Sequence, residues 1–208
     1  MKRLIVIICI LNLFCVRATQ SPFDPGSPFG LAATLFRIIL TSSESNYRTF
    51  ITAINYSGNI TTADNLCNSD SLKPNVGTYK AVLASSTRRA CSTGYCTGGV
   101  SENLDWVFKP NTSYFQSDGS IMVGKTNNSG IFWDGNISTI TNSFSNFSNR
   151  YWTGLNADFT NSTNNCLNWS SNSSGVSGET GFSVAGDSGI SDIPTACNNS
   201  NFLLCVEQ

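Results

Sequence analysis

Residues 197–208 read Cys-Asn-Asn-Ser-Asn-Phe-Leu-Leu-Cys-Val-Glu-Gln, with two cysteines separated by seven residues. The apolar run Phe202–Val206 has the length and composition of a strand, and it follows an Asn- and Ser-rich turn. A cysteine inside a strand can be joined by a disulfide to a distant element. The partners of Cys197 and Cys205 therefore determine how the chain closes on itself.

The N-terminal residues have the pattern of a secretory signal peptide. Lys2 and Arg3 precede a nearly unbroken apolar run over residues 4–16. That run is shorter than the ~20 residues of a transmembrane helix, and Ala18 ends a sequence that signal peptidase reads. We therefore predict a signal peptide over residues 1–18, with cleavage after Ala18, and an exported protein.

Cys15 offers an alternative processing site. The string Leu11-Asn12-Leu13-Phe14-Cys15 resembles a bacterial lipobox, in which the cysteine is acylated and becomes the new N-terminus. Phe14 departs from that pattern because lipoboxes have a small residue in its place. Cleavage after Ala18 and lipidation at Cys15 both remain open from the residues alone.

Residues 19–46 are predicted to form a tether. Pro22, Pro25 and Pro28 lie close together, and proline is excluded from helix interiors and central strands. The apolar patch at residues 31–40 could form a short helix against the domain or belong to a partly ordered linker. The sequence does not choose between these two arrangements.

After the tether the pattern is that of a folded domain. Residues 49–56 predict a strand, and a helix with Thr61 or Thr62 as its N-cap follows and carries Cys67. Residues 77–84 predict a second strand. Further short strands are predicted between turn signals at residues 105–108, 121–123, 131–133 and 202–206. Short strands, one or two helices and long loops predict the α+β class.

The eight cysteines divide into two groups. Cys9 and Cys15 lie in the signal region, and six remain in the exported part: Cys67, Cys91, Cys96, Cys166, Cys197 and Cys205. An even number of cysteines in an exported protein predicts disulfides, and the paired CxxC spacing of a metal site is absent. Cys91 and Cys96 enclose a four-residue loop that a local bridge could pin. Six cysteines allow about 15 pairings, however, so spacing alone does not choose among them.

The order of motifs resembles that of C-type-lectin-like domains. A cysteine on the first helix is followed by Trp152-Thr153-Gly154-Leu155, by a cysteine near Trp169 and by the terminal Cys197-x7-Cys205, whose ending resembles that of endostatin. More narrowly, residues 47–208 resemble the bacterial endostatin-like domain of leptospiral surface lipoproteins, a family otherwise described as a domain of unknown function. Further strings that carry this resemblance are Phe50-Ile51-Thr52, Tyr56-Ser57-Gly58-Asn59, Ala63-Asp64, Cys67-Asn68, Gly77-Thr78-Tyr79-Lys80-Ala81, Asp105-Trp106-Val107 and Cys197-Asn198-Asn199-Ser200.

The resemblance implies an α+β fold with short antiparallel strands, one or two helices, long loops and disulfides. It implies three bridges: Cys67–Cys205, Cys166–Cys197 and, from the two cysteines left over, Cys91–Cys96. The second bridge would enclose the Gly- and Ser-rich residues 170–191 as a long loop. The relatives are typically lipoproteins, so the resemblance implies lipidation at Cys15 as an equal alternative to cleavage after Ala18, with Phe14 as the departure. It implies a protein of the bacterial outer membrane or cell surface, or a secreted one.

The composition excludes several catalytic systems. There is no histidine among the 208 residues, so Ser-His-Asp and Cys-His nucleophile systems and His-ligated zinc cannot be built. The string Gly186-Asp187-Ser188-Gly189 resembles the nucleophile motif of trypsin-like proteases but lacks its base. Asp118 with Asp134, or Glu179 with Asp187, could form a glycosidase dyad, although scattered surface carboxylates are the favoured interpretation. We expect neither an enzyme nor a cofactor.

Charge and motif content also restrict the partners. The chain has 12 Lys and Arg and 13 Asp and Glu, and removal of Lys2, Arg3 and Arg17 with the signal peptide leaves 9 minus 13, or −4. Such an acidic protein lacks the excess of positive charge that is typical of nucleic-acid-binding proteins. The calcium-binding strings of sugar-binding C-type lectins are absent, and membrane contact is expected only through a lipid anchor.

The resemblance implies a surface-exposed, non-catalytic binding protein. Relatives act as adhesins for host extracellular-matrix proteins such as laminin and fibronectin, and some members bind complement factor H. The alternative is a periplasmic or outer-membrane structural protein without a host ligand. The sequence does not identify ligand-binding residues. Aromatic residues that flank loops serve either as interface anchors or as packing, and four qualify here: Tyr95, Tyr114, Trp133 and Tyr151.

Overall fold

The computed structural model describes residues 46–56, 58–74 and 77–208. The predicted signal peptide, the predicted lipidation site Cys15 and residues 19–45 of the predicted tether lie outside these ranges. The helices and strands are β1 (Tyr47–Ile51), α1 (Ile60–Ser69), β2 (Tyr79–Ala81), β3 (Ser113–Phe115), β4 (Met122–Lys125), β5 (Arg150–Trp152), α2 (Cys166–Trp169), β6 (Ser177–Phe182), β7 (Pro194–Ala196) and β8 (Phe202–Glu207). The fold is therefore α+β, as predicted. Within the described ranges, no helix has the length and apolar character needed to span a membrane.

Strand β8 lies at the centre of the sheet. It pairs antiparallel with β1 and β2, where Phe50 and Ala81 each lie opposite Cys205. It also pairs parallel with β5, where Trp152 lies opposite Leu203. The strand order is β4-β3-β1-β8-β5-β6-β7, and β2 joins β8 off this path. The predicted terminal strand thus connects the two halves of the sheet.

The side chains of β8 alternate between two hydrophobic clusters. Leu204 and Val206 belong to the first cluster, whereas Leu203 and Cys205 belong to the second. Because successive side chains of a strand point to opposite faces, the sheet separates the two clusters. The aromatic members of the first cluster include Phe108, Tyr114, Phe132, Phe144 and Tyr151, and those of the second include Phe50, Tyr79, Trp152 and Trp169.

Helix α1 is fixed by polar side chains near both ends. The Asn59 side chain accepts a hydrogen bond from the Thr62 N–H, and the Thr62 hydroxyl accepts one from the Asn59 N–H. This capping box makes Asn59 the N-cap, rather than the predicted Thr61 or Thr62. In the last turn, the Asn68 amide donates to the carbonyl of Tyr79 and accepts from its N–H. Asn68 therefore binds the backbone of β2 as a neighbouring strand would.

Three disulfides hold the fold together. They join Cys67 to Cys205, Cys91 to Cys96 and Cys166 to Cys197, which are the pairs that the resemblance implies. The first bridge connects α1 to the central strand across 138 residues of sequence. The third connects α2 to the end of β7 and encloses β6 and β7. Elements far apart in the sequence are thus fastened to the same sheet.

Helix α2 is a single left-handed turn. All four of its residues, 166–169, have φ between 50° and 64°. This conformation costs a non-glycine residue ~1–2 kcal/mol. The disulfide of Cys166 and a 2.8 Å hydrogen bond from the Trp169 indole to the Ala84 carbonyl hold the two ends of the turn. The side chain of Asn168 also accepts a hydrogen bond from a neighbouring loop N–H. These fixed contacts offset the backbone cost.

A buried arginine connects α1 to the loops around it. Arg88 is only 1% exposed, and its guanidinium donates two hydrogen bonds to Asp64, at 2.8 and 2.7 Å. It donates two more to Asp105, at 3.0 and 2.7 Å, and Lys80 also pairs with Asp105. Asp64, Lys80 and Asp105 all belong to the strings that carry the family resemblance. Their role in this structure is to hold the fold.

Three differences between the strand layout and the predictions concern residues 105–108, residues 170–191 and the direction of pairing. Residues 105–108 do not form a strand, because the positive φ of Asp105, 45°, breaks the extended backbone. Residues 170–191, expected to be a loop, contain β6, whose glycines allow close packing. A Cβ on Gly181, for example, would lie 2.6 Å from the carbonyl oxygen of Gly189. Finally, the pairs β1–β3 and β5–β8 are parallel, whereas short antiparallel strands were predicted.

Candidate binding surface

The four aromatic residues that flank loops divide into two buried and two surface residues. Tyr114 and Tyr151 are fully buried in the first hydrophobic cluster. Tyr95 is 37% exposed and stacks on the half-buried Trp133, with ring centroids 4.0 Å apart and ring planes at 18°. We call Tyr95 and Trp133 the aromatic pair. It is the one place in the described ranges where the structure brings two of the four together at the surface.

Tyr95 belongs to a short loop that the Cys91–Cys96 disulfide closes. Its φ is 55° and that of Cys96 is 52°, so two successive residues have the left-handed conformation. The Tyr95 N–H donates to the carbonyl of Asp158 at 2.8 Å, which fastens the loop to the segment after β5. The disulfide and this hydrogen bond restrict the backbone that carries the exposed ring. The ring is therefore presented on a fixed support.

Glu102 organises the same loop from inside. Its carboxylate accepts hydrogen bonds from the N–H and hydroxyl groups of Ser92 and Thr93, at 2.6 to 2.9 Å, and from the Gly98 N–H at 2.5 Å. The Thr93 hydroxyl contributes most to lowering the pKa of Glu102, which falls from 4.5 to about 2 despite the opposing effect of burial. A carboxylate with five donors stays ionised at all physiological pH values.

We predict that acid loosens the loop through Glu102. Because its pKa is lower in the folded protein than the ordinary 4.5, its stabilising effect is complete above about pH 4.5 and is lost as the pH falls through about 2. The Glu102→Gln variant should lack this part of the pH dependence, since a glutamine amide does not titrate in this pH range. NMR titration of the Ser92, Thr93 and Gly98 amide protons measures it. A midpoint near 4.5 in the wild-type protein would contradict the prediction.

Trp133 is positioned by a tight turn that follows it. Residues 131–133 were predicted as a strand, but only Trp133 pairs, through an isolated bridge to Ser138. The Asp134 side chain accepts hydrogen bonds from the N–H groups of Asn136 and Ile137, at 2.8 and 3.0 Å. The bond from Ile137, followed by that from Asn136, lowers the pKa of Asp134. This carboxylate is therefore charged in the turn that directly follows Trp133.

The acidic residues considered for catalysis serve local roles. Asp118 accepts two hydrogen bonds from Ser120 in its own turn. Asp134 likewise accepts a hydrogen bond within its own turn, from the Asn136 N–H. Asp187 begins a short 3-10 helix in the string that resembles a protease motif. The pKa of Glu179 is raised, first by burial and then by the nearby charge of Asp192. Among the described residues, no group of three His, Cys, Asp or Glu is placed to hold a metal ion.

A groove of about 510 Å³ offers a second candidate surface. It lies beside the start of α1 and the left-handed turn α2 and is lined by Asn59, Ile60, Thr61, Thr62, Ser85, Ser86, Thr87 and Asn168. These side chains are hydroxyls, amides and one isoleucine. No charge and no ring is present among them to select a ligand. The aromatic pair is therefore the stronger candidate.

One known protein family matches most of the domain that contains this surface. The sequence profile of the family described as "Protein of unknown function (DUF1554)" matches residues 51–185. The chain belongs to this family. The DUF1554 match includes Tyr95, Glu102, Trp133 and Asp158, and it ends before β7 and β8. No match is found among curated proteins.

Sequence reasoning identified Tyr95 and Trp133 as loop aromatics but not as partners. They are 38 residues apart, and nothing local links their loops. Glu102 and Asp158 were not identified at all, because an isolated acid in a polar segment resembles a solvated side chain. Their roles depend on contacts across the fold: Glu102 binds the N–H groups of the disulfide loop, and the Asp158 carbonyl binds Tyr95.

Proposed function

We propose that this protein is an exported, surface-exposed binding protein without catalytic activity. Its proposed ligands are host extracellular-matrix proteins, laminin and fibronectin, and also complement factor H. These ligands come from the resemblance to leptospiral surface lipoproteins. The three disulfides support export, because such bonds persist in oxidising compartments. The proposed location is the bacterial outer membrane or cell surface, or the surrounding medium.

We also propose that the fold is C-type-lectin-like in its endostatin-like form. Two observations support this assignment. A disulfide joins the first helix of the described domain to its central last strand, and a second encloses the segment with β6 and β7. The segment Trp152–Leu155 follows the same order, with Trp152 in β5 beside β8. In such folds the segments outside the sheet carry ligand contacts, and the aromatic pair lies in two such segments.

The observation that carries the proposed function is the aromatic pair on its fixed support. Tyrosine and tryptophan dominate the energetics of protein interfaces, because they bury a large area at a low cost in conformational entropy. A ring held by a disulfide, by Glu102 and by a stacked neighbour loses little further freedom on binding. The pair therefore has the properties of a preformed interface anchor.

We predict that removing the pair weakens binding to the matrix ligands. The Tyr95→Ala/Trp133→Ala double variant should lose at least about 30-fold in affinity, since a single interface anchor contributes about a tenfold change or more. Binding of the oxidised mature protein to laminin, fibronectin and factor H is measured by biolayer interferometry. Phe147→Ala is the matched control, because Phe147 is an exposed aromatic residue, 65% exposed, outside the two loops. This variant should bind like the wild-type protein.

Two outcomes would contradict the proposal. One is the absence of binding to all three ligands, and the other is binding that the reduced, unfolded protein retains. Surface proteolysis of intact cells tests the location separately. A protein that is cleaved only after the outer membrane is opened would be the periplasmic structural protein of the alternative interpretation.

A further inference from the structure

The groove beside α1 and α2 is formed by three segments that are far apart in the sequence. Residues 59–62 at the start of α1, residues 85–87 in the loop after β2 and Asn168 in the left-handed turn α2 line it. Its volume of about 510 Å³ lies within the range of small-molecule sites, ~300–1,000 Å³. Every lining side chain except that of Ile60 carries a hydroxyl or an amide, and none carries a charge.

The two asparagines of the groove are each held by one end of the side chain. Oδ1 of Asn59 accepts the N–H of Thr62 at 3.1 Å, and Oδ1 of Asn168 accepts the N–H of Ser86 at 2.9 Å. Neither Nδ2 donates a hydrogen bond to any described residue, so both N–H bonds of each amide are left for a ligand. The hydroxyls of Thr61 and Ser86 also have no partner among those residues.

The walls of the groove are fixed by the fold. The Ser85 N–H donates to the carbonyl of Arg88 at 2.7 Å, and the Asn161 amide donates to the carbonyl of Ser85 at 2.6 Å. The hydroxyls of Tyr56 and Thr62 are 3.1 Å apart, within hydrogen-bond distance. The disulfide and the indole hydrogen bond described above hold α2. A site that is formed in advance loses little conformational entropy when a ligand binds.

The chemistry of these side chains selects a neutral ligand rich in hydroxyl groups. An ionised ligand would lose water without gaining a counter-charge, because the lining has none. Ile60 alone offers too little apolar surface for a lipid or an apolar peptide. A sugar hydroxyl both donates and accepts, as the serine and threonine hydroxyls do, and it can accept from the asparagine amides. The lack of a ring makes the groove a poorer protein anchor than the aromatic pair, but its polar groups suit an oligosaccharide.

We propose that this groove binds a short neutral oligosaccharide without calcium. Asn59 and Asn168 would donate to sugar oxygens from two sides of the chain fold, α1 and α2. Thr61 and Ser86 would exchange hydrogen bonds with further hydroxyls, and Ile60 would contact the C–H groups of a sugar ring. The lining contains no carboxylate, which is the usual calcium ligand. This inference goes beyond the proposed function, because the groove is separate from the aromatic pair and its ligand is not a protein.

The test uses three neutral trisaccharides. Maltotriose, mannotriose and triacetylchitotriose are each titrated to millimolar concentrations into the oxidised mature protein with EDTA present. NMR follows the side-chain amides of Asn59 and Asn168 and the backbone N–H of Ser86. We expect at least one trisaccharide to cause saturable shifts at all three groups, one from each segment of the groove.

Three results of these titrations would overturn the proposal. The first is the absence of saturable shifts with every trisaccharide. The second is inorganic phosphate that saturates the same groups while the sugars do not, since the groove would then be an anion site. The third is saturation that occurs only when calcium replaces EDTA.

Variants assign the binding to the two amides. Asn59→Asp and Asn168→Asp each remove the Nδ2 donor but keep the Oδ1 acceptor. Aspartate is as good an N-cap as asparagine, and it also tolerates the left-handed conformation at residue 168. Each variant should therefore fold and should weaken oligosaccharide binding about fivefold, the typical effect of one hydrogen bond. Unchanged binding in both variants would contradict the assignment.

Two controls separate the groove from other surfaces. Asn127→Asp makes the same change outside the groove, where Oδ1 of Asn127 accepts the Ser129 N–H at 2.9 Å, and it should bind like the wild-type protein. The Tyr95→Ala/Trp133→Ala variant should also bind the oligosaccharide normally. If this variant loses sugar binding, the sugar occupies the aromatic pair and the groove proposal is wrong.

Discussion

Replacing both Cys67 and Cys205 with alanine should lower the free energy of unfolding by about 5 kcal/mol. The bridge spans 138 residues, and the chain-entropy model gives this value for a loop of that length. Small domains have only about 5–15 kcal/mol of stability in total, so the variant should be largely unfolded near 37 °C. The loss should be large for a second reason, since the bridge joins α1 to the strand with which β1, β2 and β5 all pair.

The matched control is the double variant Cys91→Ala/Cys96→Ala. The two cysteines of this bridge are only five residues apart in the sequence. For so short a loop the same model gives a stabilisation of about 2 kcal/mol. Urea unfolding followed by tryptophan fluorescence compares the two variants, and both should keep the transition of a single folding unit. If the two double variants lose the same stability, loop length does not determine the effect and the prediction is wrong.

Replacing Arg88 with methionine should lower the stability by about 3–5 kcal/mol, the cost of removing one partner from a buried ion pair. Arg88 is almost fully buried and donates four hydrogen bonds to Asp64 and Asp105. Methionine preserves much of the volume but leaves both carboxylates without their main donor. The Asp64 side chain is only 22% exposed, so solvent replaces that donor poorly.

Lys80→Met is the control for this second prediction. Lys80 also pairs with Asp105, but its side chain is 36% exposed and the pair is accessible to water. Exposed ion pairs contribute about 0–1 kcal/mol to stability. The loss of stability in Lys80→Met should therefore be much smaller than the loss in Arg88→Met. Both variants are compared by urea unfolding at neutral pH. Equal losses at the two positions would show that burial does not set the energy of this network.

Local patterns predicted the parts of the fold that local physics determines. The apolar run at residues 202–206 forms β8, and the polar residues before the helix that carries Cys67 provide its N-cap, although at Asn59. The disulfide pairs followed from the order of motifs rather than from spacing. Helix α2 could not be predicted, because four successive left-handed residues are stable only with contacts such as the Trp169 indole to the Ala84 carbonyl.

The candidate surface was predictable only in its components. Tyr95 and Trp133 were identified as loop aromatics, as were Tyr114 and Tyr151, and no local signal separates the exposed two from the buried two. Burial of Tyr114 and Tyr151 depends on the sheet order, which places β3 and β5 on the two sides of β1 and β8. The disulfide loop that carries Tyr95 takes its place only when it packs on the segment after β5, where the Asp158 carbonyl accepts the Tyr95 N–H.

The central position of β8 has a consequence for biogenesis. Three strands that pair with it, β1, β2 and β5, are synthesised before it and have no shared partner until it emerges. Of the six cysteines outside the predicted signal peptide, Cys67 and Cys91 would be the first to reach an oxidising compartment on export, yet they are not partners in the folded protein. Oxidation in the order of emergence would join them, and reaching the native pairs would then require thiol exchange, which takes seconds to hours. If the protein is exported as proposed, delayed oxidation or a disulfide isomerase would therefore favour the native pairs.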